Sequence, residues 1–169
     1  MKELCFQGIE QGSHLNFIMN VLEKIKKLLD ENKVEYKTKH HEPTRTSEES
    51  AKARGDNIKQ GAKAIIINAD DEFVLAVLSA ERKIDSKKLR KILEAKKTSF
   101  ADSDFLKSLN LEQGNVPPFG SVIGLKTYAD KSLLENKEIS FNAGSLTDSI
   151  SMRLEDYLAV EKPTVAEFS

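Results

Sequence analysis

Residues 62–80 read AKAIIINADDEFVLAVLSA, and the fold turns on how they are read. Two apolar runs rich in branched side chains flank the acidic pair Asp70-Asp71, the composition of two strands joined by a tight turn. Neither run alternates with polar residues, so each strand is apolar on both faces and belongs at the centre of a sheet. Upstream, TSEESAKARG (46–55) pairs Thr46 with Glu49 as a capping box and closes on Gly55, predicting a short helix. Further out, VEYKT (34–38) alternates as a strand that Pro43 breaks, and Val21, Leu22, Ile25, Leu28 and Leu29 form one helical stripe. Downstream, DSKKLRKILEA (85–95) predicts a helix capped by Asp85 or Ser86, with Leu89, Ile92 and Leu93 facing inward. DSDFLKSLN (102–110) predicts a shorter helix started by Ser103 that buries Phe105, Leu106 and Leu109. SVIGLKTYAD (121–130) and EISFNAG (138–144) are further strands, followed by SISM (149–152) and a helix through LEDYLAV (154–160). This irregular order predicts an α/β fold with a mixed or largely antiparallel sheet flanked by helices, not a doubly wound one.

At 169 residues, with 39% hydrophobic and 31% charged side chains, residues 19–169 are read as a single domain. The first 18 residues are read as a tag or leader outside it. No apolar run reaches the roughly 20 residues that span a bilayer, so no membrane partner is expected. A lone Cys5 has no internal disulfide partner, which points to a reducing, cytoplasmic setting. The net charge of −1 hides a basic segment, Arg82–Lys97, where eight cations face two carboxylates for a local +6. Such a segment suits a phosphate backbone, with Lys87, Lys88, Arg90 and Lys91 as its docking residues, although a solvated helix face has the same composition.

Three stretches can carry chemistry. Lys63 stands at the mouth of an apolar strand, where desolvation disfavours its ammonium form while leaving it able to hold a carbonyl or phosphate oxygen. The loop EQGNVPPFGSVIG (112–124) fixes two φ angles at Pro117 and Pro118, while Gly114, Gly120 and Gly124 let a ligand approach backbone N–H groups. The stretch FNAGSLTDS (141–149) offers the amide of Asn142, the bare backbone of Gly144, and an acid and a hydroxyl at Asp148 and Ser149. Taken singly, each also fits a plain structural role: a strand-end lysine, a rigid connector, a hairpin turn. Neither a dinucleotide nor a P-loop fingerprint is present, nor a G-x-S-x-G elbow. His40 and His41, adjacent on a strand, face opposite sides, so no metal site is expected.

In order along the chain, GAKAIII (61–67), GNVPPFG (114–120), VIGLKTYAD (122–130) and FNAG (141–144) resemble the YbaK-type, prolyl-tRNA-synthetase-associated editing domain family. HHEPTRTSEESAKARG (40–55) is similar to that family's early segment. The resemblance implies a mixed, barrel-like β-sheet surrounded by helices. It also implies trans hydrolysis of a mischarged aminoacyl-tRNA carrying a small residue such as alanine or cysteine. Lys63, Gly114 and Gly120 would then be catalytic. Val116, Pro117, Pro118, Phe119, Ser121, Asn142, Ala143, Gly144, Asp148 and Ser149 would bind substrate. No cofactor or metal is implied. The implied partners are aminoacyl-tRNA and an aminoacyl-tRNA synthetase, and a binding module of the same fold without catalysis is the alternative. Two positions depart from the pattern: Ala64 follows the lysine where many members have a polar residue, and Ser149 stands where some have an acid or histidine.

Overall fold

The computed structural model describes residues 19–169; the expected leader at 1–18, with Cys5, lies outside them. The apolar hairpin forms as predicted. β2 (Ala62–Ala69) pairs antiparallel with β3 (Glu72–Ser79), from Ala62 opposite Ser79 to Ala69 opposite Glu72. Asp70 and Asp71 take φ of 49° and 70°, the left-handed pair that a two-residue hairpin turn requires. The Asp70 carboxylate accepts the backbone N–H groups of Lys96 and Lys97 at 2.8 and 2.9 Å, so the turn also organises the chain leading into β4 (Thr98–Phe100). Those bonds hold the Asp70 carboxyl below its ordinary pKa.

The hairpin is central in a five-stranded mixed sheet of order β4-β2-β3-β5-β8, with β5 at Lys126–Asp130 and β8 at Thr164–Ala166. β3–β5 and β5–β8 are parallel, and the other two pairings are antiparallel. A second, antiparallel sheet of order β1-β7-β6 comprises β1 (Tyr36–His40), β7 (Asp148–Arg153) and β6 (Glu138–Asn142). One isolated bridge, Gly61 to Ser140, joins the two sheets. Among the described residues the strands therefore form two sheets and no closed barrel.

Burial on both faces explains why the hairpin is so apolar. Leu75 and Val77 of β3, with Ala62 and Ile66 of β2, enter the main core, where they meet Ile139, Phe141, Ile150 and Met152 of the smaller sheet. Val74, Ala76 and Leu78 point the other way and pack with Ile67, Leu89 and Phe168. The Val, Leu, Ile, Met and Phe side chains among them each contribute roughly 1.5–3 kcal/mol when fully buried. α1 (Val21–Glu31), capped by Asn20, buries Val21, Ile25 and Leu29 along one stripe. α2 (Ser47–Arg54) has the predicted capping box and ends on Gly55 at φ 77°. α3 (Ser86–Ile92) is capped by the Asp85 carboxylate, and α5 (Leu154–Glu161) buries Leu154 and Tyr157.

Two expectations change. α4 (Ser103–Ser108) starts at Ser103 as expected, after an Asp102 cap whose carboxylate accepts the Phe105 N–H at 2.8 Å. Its apolar residues are half-buried only, Phe105 stacking on Phe73 with centroids 3.7 Å apart. Finally, 121–130 is not strand throughout: Gly120–Val122 is a 3-10 turn, and the strand begins at Lys126. β4 and β8, three residues each, leave too short a pattern for sequence periodicity to register.

Candidate functional site

A cleft of about 450 Å³ opens where the five-stranded sheet meets α2, α4, the glycine–proline loop and β6. That volume lies within the usual range for small-ligand sites. Its floor is the seam between the sheets, Gly61 and Ala62 on one side and Ser140 to Asn142 on the other. Its wall is the edge of β2 from Lys63 to Ile66, exposed there because β4 pairs only with Ile67–Ala69. Four cationic residues, Arg45, Arg54, Lys63 and Lys107, line it against one carboxylate, Glu112.

Lys63 is half-buried, and its ammonium donates to the Arg82 carbonyl. Desolvation lowers its pKa; Glu48 works against this and Lys83 adds to it. Gly114 also lines the cleft, at φ 99°, and a Cβ there would meet the Arg45 carbonyl oxygen at 2.9 Å. Only glycine fits between this turn and Arg45, two residues ahead of α2. Val116 lines the cleft too, and among the described residues the N–H groups of Gly114 and Val116 make no hydrogen bond within the protein. Asn142 forms the floor and donates through Nδ2 to the Gly114 carbonyl at 2.7 Å, tying β6 to the loop.

The other predicted residues do not line the cleft. Pro117, Pro118, Phe119 and Gly120 are buried in the body of the protein. Phe119 packs edge-on against Phe141 and Tyr157, with centroids 5.5 and 5.2 Å away, and the Tyr157 hydroxyl donates to the Pro118 carbonyl at 2.7 Å. Burial pushes the Tyr157 phenol well above its ordinary pKa, so it stays a donor. Gly120 cannot offer its N–H to a ligand, because that group donates to Thr127 Oγ1 at 3.0 Å. Ser121 is held by the Glu161 carboxylate through both N–H and hydroxyl. Ala143 is core, and Gly144 donates its N–H to the Asn115 carbonyl at 3.0 Å. Asp148 accepts from Ser145 and Thr147 and pairs with His40 at 2.9 Å. Burial raises the Asp148 pKa, but the hydrogen bonds from His40, Ser145 and Thr147 outweigh it and hold the carboxyl low. Ser149 lies behind Asn142, bonded to Asn142 Oδ1 at 3.1 Å and to His41 Nε2 at 2.7 Å. Lys87, Lys88, Arg90 and Lys91 stand exposed on α3, outside the cleft.

Arg54, within the 40–55 stretch but not among the expected site residues, is the residue the structure adds. Its side chain is 5% exposed and borders the cleft, yet a guanidinium is rarely buried without a purpose. Nε pairs with Asp56 at 3.1 Å, and Nη1 reaches Ser149 Oγ and Asn142 Oδ1 at 3.3 and 3.4 Å. Burial lowers its pKa and Asp56 partly restores it. Nη2 makes no hydrogen bond among the described residues and lies beside Gly61, where an added Cβ would sit 3.6 Å away. The Arg-Gly dipeptide at a helix end reads as an ordinary C-terminal cap, so nothing in the sequence distinguishes a buried arginine there from a solvated one.

Against known proteins, residues 41–160 match the model of the aminoacyl-tRNA editing domain. The chain is 31% identical over 147 residues to the multifunctional Ser/Thr-tRNA deacylase ProXp-y of Escherichia coli (strain K12), covering 83% of this chain and 88% of that one. It is 28% identical over 141 residues to the prolyl-tRNA editing protein ProX of Acetoanaerobium sticklandii, covering 79% and 86%. A crystal structure of a candidate trans-editing enzyme for prolyl tRNA synthetase shares the fold at a TM-score of 0.76 and 21% identity, over 90% of this chain and 98% of that one. The ordered motifs and the matched span place the chain in the aminoacyl-tRNA editing domain family.

Proposed function

We propose that this aminoacyl-tRNA deacylase acts in trans on a tRNA mischarged with a small, hydroxyl-bearing amino acid, and that the cleft is where the ester is cleaved. The observation that carries this reading is the convergence of Lys63, Arg54 and the Gly114–Val116 segment on one cationic cleft with a polar floor. Ser50, Ser140 and Asn142 line that floor, and buried amides and hydroxyls discriminate best for a ligand that hydrogen-bonds to them. Serine is favoured on this ground, and the deacylase relative is named for seryl and threonyl substrates. Alanine and cysteine, equally small, are the competitors.

In the reaction a water oxygen adds to the ester carbonyl carbon, while a ribose hydroxyl of the substrate's own terminal nucleotide takes the water proton and passes its own on toward the ester's ribose oxygen. The carbonyl oxygen gains negative charge, and the N–H groups of Gly114 and Val116 with Arg54 Nη2 supply donors fixed in advance. The carbon–oxygen ester bond then breaks, and the departing ribose oxygen takes a proton. The products are a free amino acid and a tRNA with its terminal hydroxyl restored. Lys63 exchanges the Arg82 carbonyl for the substrate's 3′ end, as a partly desolvated donor suited to a phosphate or carbonyl oxygen.

Deacylation of seryl-, threonyl-, alanyl-, cysteinyl- and prolyl-tRNA by wild type and Lys63→Ala tests the reading. Seryl-tRNA should be cleaved fastest, and Lys63→Ala should remove most of that activity with the melting temperature intact. Full activity in Lys63→Ala removes the lysine from the mechanism. Tight tRNA binding without cleavage on any member of the panel would leave a binding module.

A further inference from the structure

Phe100 is 66% exposed, the most exposed large hydrophobic side chain among the described residues. It sits on the edge strand β4, directly opposite Ile67 of β2. Residues paired in this way point to the same face of a sheet, and so do residues two apart on one strand. Phe100 therefore shares its face with Ile67, Ile65 and Lys63, the lysine of the cleft wall. The ring borders the cleft, and it also borders a second hollow of about 180 Å³ reaching Ile84, Ser86 and Leu89 at the start of α3. One surface thus runs from the cleft across an exposed ring to a helix whose Lys87, Arg90 and Lys91 are exposed.

The ring does not stand on a loose segment. β4 is laddered to β2, and the two residues before it, Lys96 and Lys97, are pinned through their N–H groups to the Asp70 carboxylate. Their side chains are exposed, so a fixed aromatic follows two exposed cations by three and four residues. A rigid exposed ring beside a basic track matches the chemistry of single-stranded nucleic acid, whose bases stack while its phosphates seek charge.

We propose that Phe100 is the stacking platform for the terminal nucleobase of the tRNA 3′ end, with Lys96, Lys97 and the exposed cations of α3 receiving the phosphates upstream of it. This rests on the reading of the cleft as the ester site. It assigns the neighbouring hollow to the base, and it gives the basic segment a direction: away from the cleft, past Phe100, along α3.

Binding, with no chemistry involved, tests it. The probe is a fluorescent minihelix ending in CCA and carrying serine through a non-hydrolysable 3′-amide, titrated by anisotropy. Phe100→Ala should raise Kd about ten-fold, within the range seen when one base loses its aromatic partner, and Phe100→Trp should bind at least as tightly as wild type. A minihelix lacking only its terminal base should lose affinity to wild type by a similar factor and lose almost none to Phe100→Ala. The slope of log Kd against log salt should be unchanged in Phe100→Ala and shallower in a Lys87→Ala/Lys91→Ala variant. Because the ring lies mostly in solvent, Phe100→Ala should melt with wild type. A Kd within two-fold of wild type, or equal loss on removing the base in both proteins, overturns the stacking assignment and leaves the ester site untouched. Retained RNA affinity with lost association to a synthetase would assign the ring to a protein partner instead. No binding of the minihelix by wild type overturns the reading of the cleft along with it.

Discussion

The two halves of the glycine–proline loop do opposite work. Gly114 and Val116 border the cleft with N–H groups that make no hydrogen bond among the described residues, whereas residues 117–121 are tied into the body of the protein by Tyr157, Thr127 and Glu161. The prolines do not touch the cleft themselves. They lock the buried half, and the buried half aims the other. A glycine on one side of Pro117-Pro118 is consequently a packing residue, and a glycine on the other lines the cleft.

Substitutions that separate stability from turnover are the sharpest way to break that comparison. The largest effect is expected at Gly120, where a Cβ would stand 2.3 Å from both the Leu125 carbonyl oxygen and Thr127 Oγ1. Gly120→Ala should cost about 4 kcal/mol, the exceptional end for single substitutions, read as a lowered urea midpoint at constant m. An unchanged midpoint would mean that this half is not the anchor. Arg54→Lys comes next: it keeps the charge beside Asp56 but loses the planar fork, and should lower kcat/KM about 100-fold while the melting temperature holds within a few degrees. Gly114→Ala should lower kcat/KM about ten-fold by shifting the loop against Arg45, at a stability cost of about 1–2 kcal/mol. If it destabilises as much as Gly120→Ala, the division between the halves fails.

The smallest effect concerns Asp148, which lies outside both halves. Its folded pKa is depressed, so its contribution is present above the unfolded value of about 3.9 and fades as pH falls through the folded one. The partner His40 is well exposed, which keeps that contribution small. Asp148→Asn should leave activity unchanged and slightly flatten the melting temperature between about pH 5 and pH 2. A changed kcat/KM in that variant would return Asp148 to the site.

Much of this was legible beforehand. The hairpin showed in its unbroken apolar runs, and α2 in a cap whose partners lie three residues apart, because both signals are local. Lys63, Gly114, Val116 and Asn142, drawn from separate ordered motifs, line one cleft. Other residues of the same motifs lie away from it, since nothing in GNVPPFG says which glycine faces the core. Arg54 and Phe100 were invisible for the opposite reason. Burial of one and exposure of the other are set by β6 and β2, distant in sequence, and neither carries a local signature.

The bridge between Gly61 and Ser140 has a consequence for how such a cleft diversifies. A floor that is a joint, and not a continuous sheet, has a width governed by the angle between two slabs. Core residues such as Ile139 or Met152, none of them in reach of a substrate, then act as shims. Exchanging one for a bulkier or slimmer side chain tilts one slab against the other and alters which amino acid fits, while every contacting residue stays the same.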